Sequence, residues 1–170
     1  FGNRKVFAKL QPYFLQRENA DYAMDYTIVE AYSEYRHAGV DFIPMIASHT
    51  DTDGERGLIY LVHAQGKSFL YATDSNTYID RTRDCIKAHK VDAVIIECTF
   101  GDSEKQGGHM SFNRMLNEVR FFEDSNIFNG RPQVYLTHMS PHRMPPYDML
   151  VERLKGTCIQ SAYDGMELEL

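Results

Sequence analysis

Much of what steers a first reading is missing from this chain. Cysteine occurs three times in 170 residues, at Cys85, Cys98 and Cys158. An odd number at wide spacing excludes a disulfide framework and points to a reducing compartment, with the cytoplasm as the expected location. No apolar run approaches the roughly 18–20 residues of a membrane-spanning helix. Positive charge is short: 18 Lys and Arg face 24 Asp and Glu, for a net charge of −6 and a pI of about 5.6. That balance argues against a broadly basic nucleic-acid footprint and leaves room only for a small local patch. Internal repeats, low-complexity segments and linkers are absent. The chain opens at Phe1 without a basic stretch followed by an apolar one. It reads as a cut through a larger protein, not as a signal peptide.

What is present is the composition of a globular domain, 43% hydrophobic and 25% charged, enough for one domain or a large piece of one. Ten Phe and eleven Tyr predict an aromatic-rich core. Residues 1–9 read as a strand and 12–19 as a short helix, with Pro12 near its start. Residues 27–35 alternate as a half-buried strand does, and 40–47 form a second apolar strand. Strands at 58–62 and 68–72 flank Ala64-Gln65-Gly66-Lys67, a hairpin signal. Helix is expected at 78–89. A buried strand follows at 92–98, and an amphipathic helix at 111–122 carries Phe112, Met115, Leu116 and Val119 on one stripe. A short strand at 134–136, a helix at 147–154 closed by Gly156, and strands at 159–163 and 166–170 complete the order. Strands come first and alternating α and β second, which predicts a layered α/β protein.

Three apolar strands end in unusual polar residues. Ile43-Pro44-Met45-Ile46-Ala47-Ser48 runs into His49, Phe69-Leu70-Tyr71-Ala72-Thr73 into Asp74, and Val134-Tyr135-Leu136-Thr137 into His138. Strand C-termini in α/β sheets converge on one rim, where ligand groups collect. Two imidazoles and a carboxylate suit Zn²⁺ or Mn²⁺. Each residue also has a plainer reading: a lone His as a hydrogen-bonded side chain, and Asp74 before Ser75-Asn76-Thr77 as a turn or helix cap. A fourth feature is Glu97-Cys98-Thr99-Phe100-Gly101-Asp102 followed by Gly107-Gly108-His109-Met110-Ser111. There a strand end and a glycine-rich loop bring His109 to a helix start, a position suited to an anion or to protonating a leaving group. The plainer alternative is a loop with Ser111 as an ordinary N-cap.

Taken in order, these segments, with Leu136-Thr137-His138-Met139-Ser140 and Ala162-Tyr163-Asp164-Gly165-Met166, resemble the metallo-β-lactamase-fold hydrolases. Within them the likeness is to the phosphoribosyl cyclic phosphodiesterase type, and it covers most of the chain from about Val40 onward. The resemblance implies a four-layer αββα sandwich. Of this, residues 1–170 would be a single partial domain: the end of the first half and the whole second half. It implies two divalent metal ions, Zn or Mn, with a hydroxide between them as nucleophile. In that scheme His49 completes the first metal site, Asp74 bridges both ions, His138 ligates the second, and His109 contacts the scissile phosphate. His142 falls near a second family histidine, displaced by one residue through Pro141. His37, His63 and His89 match nothing and read as surface residues. The family's H-x-H-x-D-H signature is absent, and the resemblance places it before Phe1. Residues 16–26 fit no motif and read as an insertion. The implied activity is a metal-dependent phosphodiesterase when full length, with this chain alone inactive. Alternatives are a non-catalytic binding module or hydrolysis of another ester, a thioester or a lactam. The implied substrate is a small phosphodiester or nucleotide-like molecule, with no membrane or nucleic-acid partner. A half-covered sandwich would expose apolar surface through which copies could pair into a homo-oligomer.

Overall fold

Strand order in space repeats strand order in the chain. The computed structural model describes residues 1–15, 26–50, 54, 56–103 and 107–170. Among them one seven-stranded sheet runs β1 (Tyr35–His37), β2 (Val40–Thr50), β3 (Arg56–Ala64), β4 (Lys67–Ala72), β5 (Ala93–Glu97), β6 (Val134–Thr137) and β7 (Ile159–Ser161). The first four strands pair antiparallel and the last four parallel. The change follows from the connections. Gln65-Gly66, both at positive φ (52° and 78°), make the tight turn between β3 and β4, the backbone a two-residue hairpin needs. Beyond β4 each link contains a helix: α2 (Asp80–Lys87), α3 (Phe112–Asp124) and α4 (Tyr147–Leu154). Crossovers of that length return the chain parallel to where it left.

These helices cover one face of the sheet. Met45, Ala47, Ile59, Leu61, Leu70, Ala72, Val94, Ile96, Val134 and Leu136 form one buried cluster with Ile86 of α2, Met115, Val119 and Phe122 of α3, and Leu150 and Leu154 of α4. Each full aliphatic burial is worth about 1.5–3 kcal/mol. The opposite face is half-buried at Leu58, Tyr60, Val62 and Phe69, and Tyr71 is 44% exposed. This alternation is what a sheet covered on one side produces. The core is mostly aliphatic rather than aromatic-rich; many tyrosines sit on the open face and in loops, where the hydroxyl stays hydrated.

Several expected elements differ. Residues 1–9 are not a strand: α1 (Arg4–Leu15) occupies them. Asn3 starts it by accepting from the Val6 amide at 2.9 Å, a capping bond a strand could not use. Pro12 lies inside this helix, and residues 16–19 of the expected helix, with most of the 16–26 segment, lie outside the described residues. The strand at 27–35 is replaced by a single bridge, Gly2 to Ile28, and a turn at Ala31-Tyr32 with Tyr32 at φ 69°. Its alternation reflects Tyr32 and Val29 turning inward, not a ladder. Residues 166–170 form no strand. Met166 donates back to the Tyr163 carbonyl, closing the Asp164-Gly165 turn without a partner strand. The remaining expected elements are present within a few residues, and Gly156 at φ 78° follows α4 as expected.

Candidate metal centre

β2 and β4 both pair antiparallel with β3, so they point the same way, and β5 and β6 follow β4 in parallel. The C-terminal ends of β2, β4, β5 and β6 therefore share one rim. His49, Asp74, Glu97 and His138 stand there, one at each strand end. The backbone is shaped for the purpose. The β2–β3 register shifts between Ile46 and Thr50, which places His49 within the irregularity, the kind of bulge that re-aims a side chain. Asp74 and His138 are held at φ 53° and 51°. Left-handed backbone at a non-glycine residue costs about 1–3 kcal/mol and concentrates at working sites.

His109 arrives from the loop before α3. Gly108 lets that loop pass directly over His49: a Cβ there would lie 2.8 Å from His49 Nε2, so any other residue would drive ring and loop apart. The imidazole centroids of His49 and His109 are 4.8 Å apart, and those of His109 and His138 5.5 Å. Asp74 Oδ1 lies 3.8 Å from His49 Nε2 and 3.7 Å from His109 Nδ1. The plainer reading of Ser111 is observed, since it caps α3 by accepting from the Arg114 amide.

Glu97 organises this group from beneath. It is fully buried. Its Oε1 accepts from the Ser75 amide at 2.5 Å and His109 Nδ1 at 3.0 Å. Its Oε2 accepts from Thr99 Oγ1 at 2.6 Å and from the amides of Thr99 and Met110 at 3.1 and 3.4 Å. Thr99 Oγ1 in turn lies 2.8 Å from His138 Nδ1. Read by its partners, His109 carries a proton on Nδ1, shared with Glu97. His138 likewise donates from Nδ1 to Thr99, whose hydroxyl donates to Glu97. In both rings Nδ1 is thereby engaged, and Nε2 is the remaining ring nitrogen.

Two donor sets have ligand atoms within 4.8 Å of one another: His49, Asp74 and His109, and Glu97, His109 and His138. The first fits a divalent ion. Donors around a tetrahedral zinc stand about 3.3 Å apart, near the 3.8 Å between Asp74 Oδ1 and His49 Nε2, and all of its members are at least partly exposed. In the second, the carboxylate is already spent on hydrogen bonds, which makes Glu97 the support of the histidines and not a ligand. The thiol of Cys98, next in sequence, is pushed up to about 12 by burial and stays protonated, so it is neither ligand nor nucleophile at neutral pH.

Of the residues expected from sequence, the structure brings His49, Asp74, His109 and His138 together. His142 is exposed and belongs to neither donor set. His37 and His63 are exposed, whereas His89 is half-buried with Nδ1 on the Cys85 carbonyl at 2.8 Å. Glu97 was missed as a site residue. Its one signal was a carboxylate closing a continuous apolar strand and followed by Cys98-Thr99.

No protein-family model and no curated protein matches the sequence. Solved structures do. Zn²⁺-bound PqqB from Methylobacterium extorquens aligns with a TM-score of 0.70 at 15% identity, over 99% of this chain and 64% of its own. Igni18, a metallo hydrolase from the archaeon Ignicoccus hospitalis, aligns at 0.66 and 10% identity, over 98% and 68%. The metallo-β-lactamase fold protein YhfI from Bacillus subtilis aligns at 0.63 and 14% identity, over 94% and 61%. The chain thus spans less than two thirds of the length of YhfI and PqqB. At these identities the likeness is one of fold.

Proposed function

We propose that this chain, which has the metallo-β-lactamase fold, belongs to a metal-dependent hydrolase that cleaves phosphodiesters of small, nucleotide-like molecules. The observation that carries the reading is His109. Its Nδ1 is held by the buried Glu97 carboxylate at 3.0 Å and lies 3.7 Å from Asp74 Oδ1, and its ring stands 4.8 Å from that of His49. His49 and Asp74 would hold one divalent ion, and Asp74 with His138 a second. When bound, such ions supply Lewis acidity at a phosphoryl oxygen and a water that ionises near neutral pH.

The chain's own residues then divide the work. Asp74, its side chain 57% exposed, is the carboxylate that can face two ions at once. Thr99 orients His138 so that Nε2 points outward to ligate. Glu97 fixes the His109 ring by accepting from Nδ1 at 3.0 Å, and a proton carried on Nε2 would be the one donated to the oxygen of a departing alkoxide. Phe100 sets its edge against the His109 ring at 5.4 Å and limits its rotation. A thioester has less need of such a donor, since a thiolate leaves unaided. That favours the phosphodiester.

Among the described residues each ion would find only two donors apart from His109, whereas a catalytic zinc takes about three from protein. Turnover therefore belongs to a polypeptide that also carries the histidine-rich run absent from this sequence, and the present chain by itself is inactive. Three free cysteines suit a reducing compartment such as the cytoplasm. Among the described residues no helix is long and apolar enough to cross a membrane.

The test uses the full-length protein and separates ligand from proton donor. Asp74→Ala is expected to abolish turnover and lower metal content together. His109→Ala is expected to keep the metal and lose roughly 10²–10⁴ in rate, with a smaller loss on bis-p-nitrophenyl phosphate, whose leaving group needs little protonation. Loss of metal from His109→Ala would make it a ligand and overturn its assignment. Unchanged rates on every diester would return it to an ordinary loop residue.

A further inference from the structure

A second buried carboxylate stands behind the segment that carries Asp74. Residues 73–79 leave β4 and lead into α2. Ser75 donates its amide to Glu97. Three residues later, Tyr78 donates its amide to Glu118 Oε1 at 3.3 Å. Glu118 belongs to α3 and is fully buried. The same oxygen accepts from Arg83 Nη2 of α2 at 2.5 Å. From the far side, Ser48 donates its amide to Ser75 Oγ at 3.1 Å and its hydroxyl to the Thr77 carbonyl. The turn bearing Asp74 is thus pinned by two interior carboxylates and by the residue preceding His49.

Stability alone gives no reason for a charge at position 118. The other buried positions of α3 are Phe112, Met115, Val119 and Phe122. A buried ion pair is commonly matched or exceeded by apolar residues of the same volume. Glu118 Oε2, Tyr78 Oη and Arg83 Nε are all buried and have no hydrogen-bond partner among the described residues, so desolvation here is only partly offset. What a methionine could not do is accept the Tyr78 N–H.

We infer that Glu118, steadied by Arg83, is a positioning residue for Asp74. It fixes the register of the 74–79 turn, which keeps Asp74 in its left-handed backbone with its carboxylate between His49 and His109. The consequence for metal rests on the function proposed above, while the positioning itself belongs to the metal-free chain.

Hydrogen exchange at residue resolution on this 170-residue chain, with thermal unfolding in parallel, tests it in wild type, Glu118→Met and Glu118→Gln. Glu118→Met is expected to raise exchange at the Ser75 and Tyr78 amides by about tenfold or more while Leu70 and Val94 stay protected, with the melting temperature lowered by the unpaired Arg83. Glu118→Gln keeps an oxygen that accepts from Tyr78 and is expected to remain within about threefold of wild type. Wild-type exchange in the Met variant, or equal exchange in the Met and Gln variants, overturns the inference. Should Glu118→Met fail to fold, Arg83→Met releases Oε1 from its pair. It is expected to raise the same two amides, and unchanged exchange there overturns the inference equally. Titration with Mn²⁺ alone forms the second arm, where Glu118→Met is expected to bind about tenfold more weakly than wild type. If wild type itself shows no Mn²⁺ binding, the metal reading fails for this chain and the exchange result still decides the role of Glu118.

Discussion

Glu97→Gln removes one charge and turns one carboxylate oxygen into a donor, in a place where only donors converge. If the new amide nitrogen takes the Oε2 position, it opposes the Thr99 and Met110 amides and the Thr99 hydroxyl. If it takes the Oε1 position, it opposes the Ser75 amide, while His109 can give up its Nδ1 proton and accept instead. The second arrangement is the cheaper one. It still loses one hydrogen bond to a charged acceptor, about 1.5–3 kcal/mol, and leaves a buried N–H unpaired at about 1–3 kcal/mol. The two overlap, so a total near 3 kcal/mol is expected. For a domain of this size that lowers the melting temperature by about 6–12 °C. Circular dichroism measures the melt, and the long-range ¹H–¹⁵N spectrum of the imidazoles shows where the proton sits. The His109 proton should move from Nδ1 to Nε2, because Nδ1 would then accept from the new amide instead of donating to a carboxylate. A melting temperature within about 2 °C of wild type, with Nδ1 still protonated, would refute the account of Glu97 as the support of the site.

Gly108→Ala puts a methyl group 2.8 Å from His49 Nε2. It is expected to cost about 1–3 kcal/mol by overpacking and to shift the His49 ring resonances, which would stay in place if the loop could yield freely. At pH 8, Cys98, buried and with its thiol pushed up to about 12, should react with a disulfide reagent only after denaturation; rapid titration of Cys98 in the native chain would contradict its burial. Burial raises the Glu118 carboxyl, partly offset by Arg83, so ionising it costs the folded state more than the unfolded one. Relative to Glu118→Gln, wild type should therefore lose stability as pH rises above the ordinary 4.5, and a constant difference from pH 4 to 8 would be the opposing result. The half-buried face with Tyr60, Tyr71 and Ile95 in one row should make this chain self-associate; sedimentation showing a single monomer at high concentration would exclude that.

The parts of the fold that local chemistry dictates were legible in the sequence. Gln65-Gly66 announces a hairpin because the turn needs positive φ, and Ala93-Val94-Ile95-Ile96 announces a largely buried parallel strand because it is a continuous apolar run of strand length. Ser111 and Gly156 mark helix ends through backbone groups they satisfy within a few residues. His49, Asp74 and His138 could be singled out for a similar reason, as polar residues closing apolar strands. Their resemblance to a known family supplied roles that their spacing alone left open. Where a short apolar pattern admitted two periods, the sequence misled. Residues 1–9 became a helix once Asn3 capped it, and 166–170 had no strand to pair with.

The roles of Glu97, beyond its place at the end of an apolar strand, and of Glu118 are not legible in sequence for a different reason. What makes them matter is burial and the identity of their donors, and those come from residues 75, 78, 83, 99, 109 and 110 on separate elements. A glutamate's side chain looks the same in sequence whether it faces water or five donors. Only the packing of α3 and β5 against the turn after β4 determines which, because desolvation is set by every neighbour at once and not by position along the chain.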